Sequence, residues 1–388
     1  MTYLAQRVQH FGPTIFYEMT NLANQYQSVN LGQGFPDFSA PDFIKAAAVE
    51  AIQDEVNQYA PSTGRLSLRQ AIAEKMARHY NFSVDPNSEI VVTHGATEAI
   101  FATILGLIDP GDEVIIFEPF YDSYVPSVTM AGGIPKFYTL RPPDWVLDPA
   151  ELESLFSDKT KLILVNTPHN PTGKVFSLAE LQLIADLCQK YDVLALSDEV
   201  YEHIIFDDKT HHLLAALPGM RERTLIISSV GKTFSVTGWK VGWVIAPPDL
   251  VQAVFRTNQF IIFCGAAPLQ EAVATAMATS DDYYAELKTM YQARRDFLVE
   301  GLTQVGLKPI TPAGSYFVMA DIGHLGFADD VAFCRYLTLE FGVTPLPPSP
   351  FYHNPVDGAT LARFAFCKRQ DTLEEAIARL QLFNQGKS

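Results

Sequence analysis

Cysteine is scarce in this 388-residue sequence, and its few cysteines are poorly placed for pairing. Cys188, Cys264, Cys334 and Cys367 form no CxxC pair and show no metal-ligand spacing with histidine. We therefore expect buried free thiols and a reducing compartment. A small disulfide-stabilised scaffold is excluded.

Basic residues and long apolar runs are also in short supply. With 28 Lys and Arg against 44 Asp and Glu, the formal net charge is −16, and such a chain repels phosphate backbones and anionic lipids. The most apolar stretch, residues 99–108, is too short to cross a bilayer, and the first residues do not resemble a secretory signal. We therefore expect a cytoplasmic protein that binds neither nucleic acid nor membranes.

Apolar and aromatic residues, by contrast, are abundant. Hydrophobic residues make up 48% of the chain, with 26 Phe and 16 Tyr, which excludes global disorder. A chain of this length exceeds the size at which one compact core stops growing. Two domains are therefore expected.

Short runs of Val, Ile and Leu alternate with amphipathic segments from about residue 89 to residue 246. This alternation is typical of a mostly parallel sheet covered by helices on both faces, so the predicted fold class is α/β. Helices are predicted at 97–107 and 178–190, the second capped by Ser177. The seven predicted strands are EIVVTH (89–94), EVIIFE (113–118), IPKFYTL (134–140), KLILVN (161–166), VLALSDE (193–199), TLIISSV (224–230) and KVGWVIA (240–246).

The pattern changes after Pro248, first to long helices and then to a mixture of strands and helices typical of an α+β domain. The predicted elements there are helices at 249–259, 268–279, 281–305, 329–340 and 372–384, and strands at 314–322 and 361–367. We predict an N-terminal segment, 1–40, that packs with a small C-terminal α+β domain, 291–388, and a large domain, 41–290, between them.

Two local motifs fail as ligand sites. The GKT at 231–233 matches the end of a P-loop, but Ile226 stands where that motif needs its first glycine, so an ATPase is excluded. His211 and His212 have no carboxylate or thiol at ligand spacing. We expect a solvated loop at these histidines and assign no metal.

Polar residues stand at the ends of several predicted strands, where ligands bind in open α/β sheets. The small residues 95–97 would let backbone N–H groups face an anion, and 170–173 (NPTG) is either a turn or part of the same site. Asp198 ends a buried strand and needs a partner, which could be an ion pair with a neighbouring strand. Lys232 follows another strand, with Lys240 eight residues later; a desolvated lysine beside a second cation has the lowered pKa that imine formation requires.

The segment SSVGKTFSVTGWKVGW, with NTPHNPTG and SDEVYEHIIF in the same order upstream, resembles the class I and II aminotransferases. These are enzymes of fold type I that use pyridoxal 5′-phosphate (PLP). The resemblance runs from LGQGFPDF at 31–38 to ARFAFCK at 362–368, and is greatest to the branch of kynurenine and glutamine transaminases and bacterial methionine aminotransferases. It implies a large PLP-binding domain with a seven-stranded sheet and a smaller α+β domain.

The resemblance implies roles for single residues. Lys232 matches the lysine that forms the internal aldimine with PLP and then moves the substrate α-proton. Asp198 matches the acid that faces the pyridine nitrogen, so that the ring can accept electrons. The other implied PLP contacts are Asn170 and Tyr201 at the phenolic oxygen, Ala96, Thr97, Ser229 and Lys240 at the phosphate, Tyr121 stacked on the ring, and Tyr59 at the phosphate of a partner subunit.

Two of these matches carry a qualification, and a third has a consequence for assembly. Many members of the family have arginine where Lys240 stands, and lysine keeps the charge without the bidentate fork. A tyrosine of the core is the alternative for Tyr121. Tyr59 implies that the enzyme is at least a homodimer.

Substrate contacts follow from the same resemblance. Arg363 matches the arginine that binds the α-carboxylate, Gly34 matches a backbone contact to that carboxylate, and Asn170 lies in the same site. The residues that fall where this branch places the side-chain pocket are Phe16, Phe263, Phe351 and Tyr352, with core packing as the alternative for each.

These matches imply a PLP-dependent aminotransferase that moves an amino group from an L-amino acid to a 2-oxo acid, with methionine, an aromatic amino acid or glutamine as donor. No second arginine stands in a motif that reads a side-chain carboxylate, which argues against an aspartate specialist. Cys264 replaces a histidine of some kynurenine transaminases, which argues against kynurenine. The alternative is a carbon–sulfur β-lyase acting on cysteine S-conjugates or cystathionine-like substrates through the same lysine.

Overall fold

A computed structural model of the chain describes residues 3–9 and 11–385. Residues 1, 2 and 10 of the predicted N-terminal segment and residues 386–388 of the predicted small domain lie outside these ranges. Within the described ranges, no helix is both long and apolar enough to cross a membrane.

The strands of the described chain form three sheets. In chain order they are β1 (Val29–Asn30), β2 (Ile90–Thr93), β3 (Glu113–Glu118), β4 (Ile134–Thr139), β5 (Thr160–Asn166), β6 (Leu194–Asp198), β7 (Thr224–Ser229), β8 (Gly242–Ile245), β9 (Lys308–Ile310), β10 (Phe317–Asp321), β11 (Val343–Thr344) and β12 (Leu361–Ala365). The largest sheet has the order β2-β8-β7-β6-β5-β3-β4, in which β8 runs antiparallel to both neighbours and the other pairs are parallel. The predicted α/β class and mostly parallel seven-stranded sheet are confirmed.

Helices cover this sheet and build the rest of the chain. In chain order the α-helices are α1 (Ile15–Tyr26), α2 (Asp42–Gln53), α3 (Leu66–Tyr80), α4 (Gly95–Leu107), α5 (Tyr124–Ala131), α6 (Pro149–Glu153), α7 (Leu178–Tyr191), α8 (Val230–Thr233), α9 (Pro248–Ile261), α10 (Ala267–Met277), α11 (Asp281–Gln304), α12 (Asp330–Phe341) and α13 (Gln370–Gln385). Ser177 caps α7 as predicted, in a reciprocal capping box with Glu180.

The apolar character of the central strands follows from burial on both faces. Along β5, Leu162 and Leu164 belong to the same apolar core as residues of α4, whereas Ile163 and Val165 belong to the core that contains residues of α7. Successive side chains of a strand point to opposite faces, so a strand that is covered twice needs an unbroken apolar run. A polar residue at the end of such a strand therefore stands out.

The N-terminal segment contacts the C-terminal part of the chain. β1 pairs in parallel with β11, with Val29 opposite Val343, and Glu18 of α1 forms an ion pair with Arg335 of α12. The C-terminal part has its own antiparallel sheet, β12-β10-β9. The division into an N-terminal segment, a large domain and a small domain, with boundaries after residues 40 and 290, stays a prediction.

The cysteines are free, as expected from their spacing. Cys188, Cys334 and Cys367 are buried, and Cys264 is half-buried. Burial raises the pKa of Cys188 to about 12 and that of Cys367 to about 11, which keeps both as unreactive thiols at neutral pH.

Candidate active site

A cavity of about 270 Å³ opens at the carboxyl edge of the parallel strands. The ends of β5, β6 and β7 reach it with Asn166, Asp198 and Ser229, and the first residues of α4 form another wall. Twelve of the sixteen predicted site residues line it: Phe16, Gly34, Ala96, Thr97, Tyr121, Asn170, Asp198, Tyr201, Ser229, Lys232, Lys240 and Arg363.

Lys232 projects into the cavity from α8, the short helix that follows β7. Its Nζ donates to the Tyr316 hydroxyl at 2.8 Å and lies 3.5 Å from the Gly34 carbonyl oxygen, which also accepts the Tyr316 hydroxyl. Burial lowers the pKa of Lys232 to about 8, and the positive charges of Lys240 and Arg363 act in the same direction. A useful fraction of this amine is therefore unprotonated at neutral pH, as a nucleophile or base requires.

Asp198 ends β6 with its carboxylate in the cavity wall, and the residue is 4% exposed. The Tyr124 hydroxyl donates to Oδ2 at 2.7 Å and the Val200 N–H donates to Oδ1 at 3.3 Å. Burial raises the pKa of Asp198 to about 6 in spite of these bonds. Among the described residues no basic side chain lies within 4.0 Å of it, so the ion pair considered as the alternative is not formed, and a cation brought by a ligand would complete the site.

A polar corner forms where α4 begins. Gly95 has a φ of +79°, a conformation that favours glycine, and the N–H groups of Ala96 and Thr97 in the first turn have no helical acceptor. A Cβ on Gly95 would lie 3.2 Å from the Lys240 Nζ, so glycine leaves room for the lysine. With Ser229 opposite, this corner combines a helix N-terminus and an ammonium group, which together suit a phosphate.

Arg363 lies in β12 and is only 2% exposed. Its Nη1 donates to Asn170 Oδ1 at 3.1 Å and its Nη2 to the Gly32 carbonyl at 2.7 Å, while the buried Nε has no partner. The guanidinium carbon lies 4.1 Å from the ring centre of Phe317 and 5.2 Å from that of Phe16. Burial lowers the pKa of Arg363 to about 10. No acidic side chain of the described chain pairs with it, so a planar anion such as a carboxylate is the missing partner.

Asn170 and Tyr121 line the cavity between these groups. The Asn170 N–H donates to Asn166 Oδ1 at 2.7 Å, and Asn166 Nδ2 donates to the Asp198 carbonyl at 2.9 Å, so the ends of β5 and β6 are tied together. The Tyr121 hydroxyl lies 3.4 Å from Thr97 Oγ1, and burial raises the pKa of Tyr121 to about 12. Tyr121 is therefore a residue of the cavity wall, and its stacking on the cofactor ring stays a prediction.

Tyr201 faces Lys232 from the other side of the cavity. The Lys232 Nζ lies 5.6 Å from the centre of its ring, and the Tyr201 ring meets the Tyr316 ring edge-on at 5.0 Å. Burial raises the pKa of Tyr201 well above that of a free tyrosine, so its hydroxyl is a hydrogen-bond donor at neutral pH.

Tyr59 and Phe263 are predicted site residues that lie at the surface and do not line the cavity of this chain. They are 83% and 49% exposed and meet edge-on at the surface, with ring centres 5.3 Å apart. Within one chain, the prediction that Phe263 lines the substrate pocket is therefore not met. The other two residues predicted for the pocket are Phe351 and Tyr352. The ring centres of Phe351 and Phe16 are 5.5 Å apart, and Tyr352 is buried in an apolar core, which was the alternative given for it.

Several residues of the site escaped the sequence analysis. Asn166 ends a buried strand and carries the same signal as Asp198, so it could have been recognised. Tyrosine is often a residue of the apolar core, and nothing in the sequence next to Tyr124 or Tyr316 shows the partner of its hydroxyl. Phe317 likewise looks like an ordinary strand residue.

A buried polar layer lies behind the strand end that carries Asp198. Glu199 Oε2 lies 2.5 Å from the His211 Nε2, and the Ser197 hydroxyl donates to Glu199 Oε1 at 2.6 Å. The prediction of a solvated loop at His211 is therefore wrong: its side chain is 4% exposed. Burial alone would lower the pKa of His211, but the Glu199 charge outweighs it and the net shift is upward. A buried carboxylate needs such a cation, and this requirement overrides the polar composition of the loop.

Glu202 is a second acid of this buried polar layer. Its Oε1 lies 2.5 Å from the Lys75 Nζ and accepts the Ser228 hydroxyl at 2.8 Å, while its Oε2 accepts the Tyr80 hydroxyl at 2.6 Å. Although burial opposes it, the Lys75 charge lowers the pKa of Glu202. Residues 198, 200 and 201 of this segment thus line the cavity, whereas the acids Glu199 and Glu202 are paired away from it.

Comparison with known proteins places this geometry in a family. The model of the family described as aminotransferase class I and II matches residues 26–380. The chain is 42% identical to kynurenine–oxoglutarate transaminase of Dictyostelium discoideum, over 97% of this chain and 96% of that protein. Among solved structures, N-succinyldiaminopimelate aminotransferase of Mycobacterium tuberculosis has a TM-score of 0.95 at 44% identity, covering 98% of this chain and 99% of that one. YbdL of Escherichia coli, described with a methionine aminotransferase function, has a TM-score of 0.95 at 39% identity, covering 98% and 100%.

Proposed function

This chain belongs to the class I and II aminotransferases, PLP-dependent enzymes of fold type I, and on that premise we propose that its amino donor is an L-amino acid with an uncharged side chain. Methionine is the first choice, followed by phenylalanine, tyrosine and glutamine. The acceptor is a 2-oxo acid. The transaminase activity comes from the family, and the donor is the new part of the proposal.

The observation that supports this donor class is the setting of Arg363. Among the described residues, three basic side chains line the cavity: Lys232, Lys240 and Arg363. Lys232 and Lys240 are needed for the cofactor, so Arg363 is left to receive the α-carboxylate that all amino acids share. A second carboxylate would find no cation, whereas Phe16 and Phe317 offer an apolar surface to a thioether or aromatic side chain.

The residues of the cavity fit PLP, and three groups of the cavity wall support this. The start of α4 with Lys240 suits the phosphate, and the buried carboxylate of Asp198, which lacks a cation, suits a protonated ring nitrogen. The amine of Lys232, whose pKa is lowered, is suited to bind the aldehyde carbon of PLP. We assign Asn170 and Tyr201 to the phenolic oxygen. When bound, PLP takes up the electron pair that remains after the substrate loses its α-proton.

Lys232 has two tasks in this assignment. Its amine would hold the cofactor, and the free Nζ would accept the α-proton of the substrate. Tyr316 and the Gly34 carbonyl lie within 2.8 Å and 3.5 Å of Nζ, so they keep the amine in place during both tasks. Arg363 fixes the substrate by its carboxylate and thereby orients the α-carbon.

A half-reaction tests the donor class. The cofactor-loaded enzyme is mixed with one amino acid at a time, without oxo acid, and the visible absorption band of bound PLP is followed. We expect methionine to bleach the band stoichiometrically, at least about tenfold faster than aspartate, because a second carboxylate is unpaired in this cavity. Equal rates for the two amino acids would contradict the proposal.

The same experiment distinguishes the β-lyase. Catalytic release of pyruvate and ammonia from a cysteine S-conjugate, while the absorption band persists, would indicate this activity, which none of the relatives named above supports.

We further propose that the enzyme is a cytoplasmic homodimer in which Tyr59 reaches the phosphate bound by the partner subunit. Tyr59 and Phe263 form an exposed aromatic pair, and Phe260 on α9 is 85% exposed. Such a patch is typical of an interface. Free thiols support the reducing compartment.

The Tyr59→Phe variant tests this assembly. Loss of one hydrogen bond to a charged phosphate should weaken PLP binding about tenfold, measured by fluorescence titration of the cofactor-free protein. Tyr17→Phe, which alters another exposed tyrosine, is the matched control and should not change the affinity. A monomer in sedimentation velocity, or unchanged affinity in Tyr59→Phe, would refute the assignment of Tyr59.

A further inference from the structure

Tyr316 contacts the Lys232 amine from behind the cavity. It directly precedes β10 and is fully buried, and it is not among the residues that line the cavity, whereas Lys232 and Gly34 are. The Tyr316 hydroxyl lies 2.8 Å from the Lys232 Nζ and also contacts the Gly34 carbonyl oxygen. The amine is therefore placed between the cavity on one side and a buried phenol on the other.

The direction of these hydrogen bonds follows from the Gly34 carbonyl. A carbonyl oxygen only accepts, so the Tyr316 hydroxyl donates its single proton to it and has only lone pairs left for the Lys232 Nζ. Burial raises the pKa of Tyr316 well above that of a free tyrosine, so the hydroxyl keeps this proton at neutral pH. Lys232 must therefore donate an N–H group to Tyr316.

Both acceptor oxygens are held in place by the fold. The Tyr316 ring packs edge-on against the Phe317 ring, with the ring centres 4.9 Å apart. A Cβ on Gly34 would lie 2.6 Å from the Phe317 ring, so glycine allows this carbonyl to approach Tyr316. The carbonyl of the next residue, Phe35, accepts the Lys368 Nζ at 2.9 Å, which anchors the loop that carries Gly34.

These two acceptors determine where the lone pair of the neutral amine points. A neutral primary amine has two N–H groups and one lone pair in a tetrahedral arrangement. The Tyr316 hydroxyl accepts one N–H, and the Gly34 carbonyl, at 3.5 Å, is an acceptor for the other. The lone pair then points away from both oxygens, toward the cavity that Lys232 lines.

We propose that Tyr316 is a positioning residue, which accepts one N–H group of the Lys232 amine from behind and thereby turns the lone pair of Nζ toward the α-carbon of the substrate. This inference rests on the proposed function, because it concerns the amine that would accept the α-proton. Proton transfer requires the lone pair and the C–H bond to be aligned, and an amine without this acceptor rotates about its Cε–Nζ bond. Arg363 fixes the substrate, so the two residues together set the alignment.

The Tyr316→Phe variant removes the hydroxyl and keeps the ring. We expect the half-reaction with saturating methionine to slow about tenfold or more, while the apparent dissociation constant of methionine stays within about twofold because Arg363 is unchanged. The isotope effect with α-deuterated methionine should be at least as large as in the wild type, which assigns the loss to proton transfer. Tyr291→Phe is the matched control: it removes a buried hydroxyl from a ring centred 6.0 Å from the Tyr316 ring and should behave as the wild type.

The cofactor-free protein gives a readout that does not depend on catalysis. Trace labelling with acetic anhydride over a pH series, followed by mass spectrometry of peptides, reports the pKa of the Lys232 amine. The charged and titratable groups that face this amine, and that both variants keep, are Asp198, Tyr201, Lys240, Arg363 and Cys367. The lone pairs of the Tyr316 hydroxyl favour the charged amine, so Tyr316→Phe should lower the pKa of Lys232. Labelling of Lys232 at pH 7, relative to its value at high pH, should then rise about threefold, and Tyr291→Phe should not change it.

The two experiments distinguish a failure of this inference from a failure of the proposed function. An unchanged half-reaction, an isotope effect smaller than that of the wild type, or unchanged labelling of Lys232 would each overturn the role of Tyr316. Equal changes in Tyr316→Phe and Tyr291→Phe would indicate a packing effect and would overturn it as well. If no amino acid reacts with the loaded wild type, the proposed function fails instead, and labelling of the cofactor-free protein still decides whether Tyr316 acts on the amine.

Discussion

Turnover of the Lys232→Ala variant is expected to fall by about 10⁴-fold or more, because in the proposed assignment one side chain supplies both the amine that holds the cofactor and the base that moves the α-proton. The lowered pKa of Lys232, about 8, is the physical basis of both tasks. The start of α4 and Lys240, which are assigned to the phosphate, and Asp198 are unchanged in this variant. PLP should therefore still bind, although more weakly and without a covalent bond.

Two measurements check this expectation. Steady-state transamination is compared with that of Lys159→Ala, in which an exposed lysine far from the assigned contacts is removed and full activity is expected. Reduction of the loaded wild type with borohydride, followed by mass spectrometry of peptides, should place the cofactor on Lys232. Normal turnover of Lys232→Ala, or a label on Lys240 instead, would refute the assignment.

Asp198→Ala should lower kcat by about 10³-fold or more, the second largest effect that we expect. The carboxylate is buried, and in this protein no basic side chain of the described residues pairs with it. In the proposed assignment its charge would hold the proton on the ring nitrogen of the bound cofactor, and that proton allows the ring to take up electrons. Asp198→Asn keeps the shape but not the charge, so it should lose nearly as much activity as the alanine variant.

The matched variants separate charge from packing. Asp208→Asn removes an exposed acid and should keep full activity. Tyr124→Phe removes only the 2.7 Å hydrogen bond to Asp198, so a loss of about tenfold is expected. An Asp198→Asn enzyme with wild-type kcat would contradict the role of the charge, whatever the stability of the variant.

The sequence was most informative at the ends of buried strands. A strand covered on both faces is an apolar run, so the polar residues that end β6 and follow β7, Asp198 and Lys232, are conspicuous against it. The resemblance then gave each of these positions a role, and the structure brings twelve of the sixteen predicted residues to one cavity. Local pattern was sufficient because each signal lies within a few residues of its strand.

Contacts between distant parts of the chain could not be predicted in this way. Tyr124 reaches Asp198 across 74 positions, and its setting is that of any core tyrosine. The polar loop at His211 indicated solvent, but the charge of Glu199 draws the imidazole inward. The contact proposed for Tyr59 lies between two subunits, which the pattern of one chain does not show. In each case the deciding partner is remote in sequence or in another molecule.

The two-sided segment 198–202 has a consequence for the cofactor-free enzyme. Glu199 and Glu202 are clamped to His211 and Lys75, which lie outside the set of residues assigned to PLP. The backbone that presents Asp198 and Tyr201 is thus held in place before any cofactor arrives. PLP would therefore bind to and leave a segment that is already ordered. The conformational entropy of this segment is lost when the chain folds, so its ordering does not weaken the affinity for the cofactor.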